Sequence, residues 1–128
     1  MKKFFVVLVI LFIGILLAGC TSQPATPVAT PTPRPTLTFT FNNDLTITPD
    51  PSIAYVKEGT KVIWVNADEF KPHGIQAINV QTGSYFGGMD TVTVEYGRPL
   101  EVIFDKEGAY DYKTVFQQEM DCKLIVTK

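Results

Sequence analysis

The chain has 128 residues, 11 basic and 13 acidic side chains, a formal charge of −2 and 45% hydrophobic residues. That is enough for one small folded domain and too little positive charge for a nucleic-acid footprint. There is one histidine, with no Ser or Cys motif beside it, so no nucleophilic triad can be assembled and the chain is not read as an enzyme.

The first segment pairs a basic head, Met1-Lys2-Lys3, with an uncharged apolar run from Phe4 to Gly19. A short apolar stretch ending in small residues describes a secretory signal. Leu17-Ala18-Gly19-Cys20 resembles a lipobox, which makes residues 1–19 a lipoprotein signal and Cys20 the lipidated first residue of the mature chain. An uncleaved signal anchor is the alternative. Both place the rest of the chain at the membrane, facing outside the cytoplasm.

Residues 20–36 continue the anchor as a spacer. Positions 21–36 hold five prolines, five threonines and no aromatic residue, a composition that cannot bury a core and that proline keeps extended. At ~3.1 Å per residue it spans up to about 50 Å. If Cys20 carries lipid, Cys122 has no partner within the chain, so the domain depends on packing and not on a disulfide.

Residues 37–128 form the expected domain, with eight basic and thirteen acidic residues, a charge of −5. Segments rich in Val, Ile, Phe, Tyr and Thr alternate with turn residues. They predict strands at Leu37 to Phe41, Leu45 to Thr48, Ile53 to Val56, Lys61 to Asn66, Gly74 to Val80, Thr91 to Glu95, Leu100 to Asp105, Tyr110 to Thr114 and Cys122 to Thr127. Short connectors leave no room for crossover helices, so the expectation is an all-β sandwich of two sheets. The two-residue period puts Met120, Cys122, Leu124 and Val126 on one face of the last strand. Trp64, Tyr110 and Tyr112 are expected in the core.

Gly59, Val62, Trp64, Asn66, Asp68 and His73, followed by the segment Gly108 to Met120, make most of residues 45–128 resemble a cupredoxin. That resemblance implies a Greek-key β-sandwich and a mononuclear copper site built from two imidazoles, a thiolate and a weak thioether, three of the four on one loop. His73 matches the first imidazole and Met120 the thioether. The thiolate and second-imidazole positions match Thr114 and Gln117, neither of which is a strong donor. Ordinary blue-copper electron transfer is therefore not expected.

Two readings stay open, with copper and no metal both admissible as cofactor. In one, the domain is a binding or interaction module whose partner is a protein at the cell surface. In the other, His73 and Met120 hold Cu(I) without blue-copper character, and Met89, after Gly87 and Gly88, is the extra thioether. Cys122 lies two residues beyond Met120, about 6 to 7 Å along a strand, and is expected to act as a small core hydrophobe.

Overall fold

The computed structural model describes residues 31–128. The signal at 1–19, Cys20 and the spacer as far as residue 30 lie outside the described residues.

Among the described residues, nine strands and one short helix follow in order: β1 (Thr36–Phe41), β2 (Ile47–Thr48), β3 (Ile53–Lys57), β4 (Thr60–Asn66), β5 (His73–Ala77), α1 (Val80–Tyr85), β6 (Thr91–Val94), β7 (Leu100–Phe104), β8 (Gly108–Val115) and β9 (Met120–Thr127). One sheet has the order β2-β1-β4-β7 and the other β3-β9-β8-β5-β6. β1 runs parallel to β4, with Phe41 opposite Asn66, and β3 runs parallel to β9. The remaining ladders are antiparallel. The expected all-β, two-sheet architecture is present.

Two elements differ from the sequence expectation. The strand expected from Gly74 to Val80 stops at Ala77, and Val80 opens α1. Asn79 is the reason: its Oδ1 accepts from Thr82 N at 2.8 Å and caps the helix. The strand expected from Leu45 shrinks to two residues, because Leu45 turns at φ 67° and its N–H donates back to Asn42 O at 3.1 Å.

Alternation builds the core. Phe39, Phe41, Val62, Trp64, Val102 and Phe104 face inward from the first sheet. Ile75, Val94, Tyr110, Tyr112, Cys122, Leu124 and Val126 meet them from the second. Trp64 is the hub, stacked on Phe39 and met edge-on by Phe86, Phe104 and Tyr112 at ring-centroid separations of 5.7 to 6.5 Å. Tyr110 reaches out of this core to donate its hydroxyl to Lys106 O at 2.8 Å, four residues upstream. Bonds of that kind lock the corner where a chain enters a strand of a Greek-key sandwich.

The ladders also fix which residues share an end of the domain. Phe41, Asn66, His73 and Val94 gather at one end, with Phe41 stacked on His73 and Asn66 Nδ2 donating to Val94 O. Gly74 pairs with Val115, so the turn between β8 and β9 belongs there too. Thr36, where the chain enters β1, pairs with Lys61 at the opposite end.

Candidate functional site

Asn66 closes the loop that leads to His73. Its Nδ2 donates to Lys71 O at 2.9 Å and Val94 O at 3.1 Å, while its Oδ1 accepts from Asp68 N at 2.7 Å. Asp68 Oδ1 then accepts from Phe70 N at 3.0 Å. Side-chain bonds of this type replace the ladder where the chain turns. His73 emerges buried, its ring parallel to Phe41 within 16° at a centroid distance of 4.9 Å. Its Nε2 has no hydrogen-bond partner and lies 3.8 Å from Asp68 Oδ2.

Burial lowers the pKa of His73 below its ordinary 6.5, with the Asp68 charge opposing the shift. A depressed folded-state pKa means that the neutral ring stabilises the fold above about pH 6.5 and that this contribution fades as pH falls through the folded value. Thermal unfolding midpoints should therefore drop between pH 7 and 5 in the wild type and vary less in His73→Gln. The carboxylates whose pKa values are lowered, Asp44, Asp50 and Asp105, start from 3.8 and act at lower pH. His73 is the only histidine, so a profile identical in the two proteins would contradict this.

The turn from β8 to β9 faces His73. Thr114 pairs with Met120 across the ladder, and Thr114 is buried while Met120 is half-buried. The Thr114 hydroxyl donates to Gln118 O at 2.8 Å, tying the turn to its own base. Gln117 is half-buried on that turn, and the neighbouring Gln118 Oε1 is buried without a partner. Phe116 adopts φ 80° and rests over Gly74, where an added Cβ would stand 2.5 Å from the ring. Only glycine leaves that seat open. Pairing and alternation thus bring His73, Thr114 and Met120 inward at one end of three adjacent strands, with Gln117 on the turn above.

Met89 is not brought to this end. Ala77 N donates to Asp90 O at 2.8 Å, so Met89 lies beyond the far end of β5 from His73, a separation of at least about 13 Å along the strand. It is exposed, and the expected second thioether is not brought to His73 and Met120. Cys122 is a buried free thiol paired with Tyr112, and burial pushes its pKa up to about 11. It remains protonated near neutrality, which suits a core hydrophobe and not a ligand. Among the described residues, no three His, Cys, Asp or Glu side chains form a metal-holding group.

No family model and no curated protein sequence matches this chain. Solved structures do. The copper-containing nitrite reductase from Thermus scotoductus SA-01 superposes with a TM-score of 0.57 at 23% identity, over 83% of this chain and 25% of that one. A reduced amicyanin variant gives 0.51 at 20% identity, over 72% and 82%. A purple cupredoxin from Nitrosopumilus maritimus gives 0.49 at 21% identity, over 70% and 98%.

The domain has a cupredoxin-like fold.

The chain spans a quarter of the nitrite reductase but most of the amicyanin. Within this cupredoxin-like domain, the side chains of His73, Met120, Thr114 and Gln117 are an imidazole, a thioether, a hydroxyl and a carboxamide, with no thiolate among them. Soft neutral donors suit Cu(I), and a type 1 copper centre includes a thiolate. Asp68, in sequence only one residue of the cupredoxin-like pattern, sets its carboxylate 3.8 Å from His73 Nε2. Its signal was the spacing Asn66-Ala67-Asp68 just before the loop, which marks a side-chain-closed turn.

Proposed function

We propose that this is a lipid-anchored extracytoplasmic protein that displays a cupredoxin-like domain as a binding or interaction module, without the thiolate and second imidazole of a type 1 copper site. The observation that carries the reading is Thr114. It stands inward on β8 opposite Met120, with its hydroxyl already spent on Gln118 O, so the loop is closed without an anionic donor. The tether supports display as well. Thr36 enters β1 at the end of the domain opposite His73, so the entry of the chain into the fold does not occupy the His73 end. That end would then meet a protein partner.

Anchoring is tested by Cys20→Ser in the full chain. The variant should appear in the soluble fraction or remain unprocessed, while the wild type partitions with membranes and its mature terminus carries lipid mass. An unmodified Met1 terminus on the wild type would indicate a signal anchor instead.

A second reading, Cu(I) capture, is favoured by the placement of His73 on β5 and Met120 on β9, which flank β8, toward the same end of one sheet. When bound, Cu(I) would supply a soft ligand-exchange centre, and the chain's part is to hold the imidazole and thioether in register. Competition against a Cu(I) chelator should show loss in His73→Ala and Met120→Leu. Met89→Leu and Cys122→Ser should match the wild type. A wild type that takes no Cu(I) above background leaves the metal-free module as the sole reading.

A further inference from the structure

The packing around His73 leaves one feature unexplained. Its Nε2 is buried with no hydrogen-bond partner, yet Asp68 Oδ2 lies only 3.8 Å away on a side chain that is itself 3% exposed. Asp68 cannot drift, because its Oδ1 accepts from Phe70 N and its own N–H is held by Asn66 Oδ1. The imidazole cannot tilt freely either, since Phe41 stacks on its plane. A carboxylate oxygen is thus fixed against one chosen nitrogen of the only histidine.

Neutral imidazole carries its proton on one nitrogen and a lone pair on the other. With the proton on Nε2, an N–H dipole faces the carboxylate. With the proton on Nδ1, the Nε2 lone pair faces oxygen lone pairs instead. In a buried site that repulsion is weakly screened, so the two tautomers are separated by the field of Asp68. Outer carboxylates orient metal-binding imidazoles in the same way.

We infer that Asp68 is a positioning residue that holds neutral His73 as the Nε2–H tautomer and leaves the Nδ1 lone pair free for a soft cation. The cation half of this inference rests on the Cu(I) reading; the tautomer half does not. Asp68 also places a negative charge behind a donor set that has none of its own.

Long-range proton–nitrogen NMR of the uniformly labelled, metal-free protein at pH 7.5 reads the tautomer directly, and a single histidine removes any assignment ambiguity. The expected wild-type spectrum has a protonated Nε2 and a pyridine-like Nδ1. Asp68→Asn can keep its carbonyl on Phe70 N–H, which turns its amide N–H groups toward Nε2, so that variant should invert to the Nδ1–H tautomer. A wild-type Nδ1–H tautomer overturns the inference whether or not the variant folds. So does a variant with a well-dispersed spectrum that fails to invert. In Cu(I) competition, Asp68→Asn should bind about 10 to 100-fold more weakly. Equal affinity in the two proteins overturns the cation half. A wild type with the Nε2–H tautomer and no Cu(I) affinity overturns the Cu(I) reading and leaves Asp68 as the residue that sets the tautomer.

Discussion

Thr114→Cys combined with Gln117→His is expected to give, on loading with Cu(II), an intense visible absorption band that the wild type lacks. The side chain at 114 points inward and is buried opposite Met120, so a thiolate there would face the same space as His73. Three residues on, an imidazole at 117 would supply the remaining strong donor. The exchange forfeits the Thr114–Gln118 hydrogen bond, a loss of about 0.5 to 1.5 kcal/mol, which leaves the fold intact. Thiolate-to-copper charge transfer needs a short, covalent sulfur bond, so the band reports geometry as well as affinity. A double variant that folds, binds Cu(II) and stays colourless would show that the turn between β8 and β9 does not have the shape of a type 1 loop.

Trp64→Ala should have the largest effect on stability. Trp64 packs against Phe39, Phe86, Phe104 and Tyr112 and is 1% exposed. Truncating a buried aromatic of this size costs roughly 3 to 5 kcal/mol. Total stability of a small domain is only about 5 to 15 kcal/mol, so the variant should unfold at much lower denaturant or fail to fold. Trp64→Phe should be milder. It keeps most of the ring and removes Nε1, a buried N–H without a partner, whose desolvation penalty disappears with it. Far-UV circular dichroism in a denaturant series measures both, because the substitution also removes the only tryptophan. A Trp64→Ala midpoint equal to the wild type would mean that the two sheets do not close on this ring.

The strands were legible because their alternation is strong. β4 buries every second residue from Thr60 to Asn66, and β8 does the same from Tyr110 to Thr114. α1 was not legible, since six residues give no apolar period and only Asn79 announces the helix. At the site, His73, Thr114, Gln117 and Met120 were singled out by the resemblance to cupredoxins, and strand pairing sets the first, second and fourth toward one end of a sheet. Met89 could not be placed that way. Its position depends on β6 pairing back along β5, a tertiary fact with no local signature. Asp68 was legible as a turn residue, but the approach of Oδ2 to His73 depends on how the loop folds over the sheet end.

The last strand has a consequence for how the domain comes into being. β9 lies between β3 and β8, and its parallel partner is distant in sequence, with Ile53 facing Lys123. Closing so long a loop is slow relative to forming local hairpins. A chain that emerges N-terminus first, from a ribosome or through a translocation pore, cannot complete its five-stranded sheet until residues 120–127 have emerged too. Until then that sheet lacks the strand joining β3 to β8, and loss of β9 removes the interior of a sheet and not an edge.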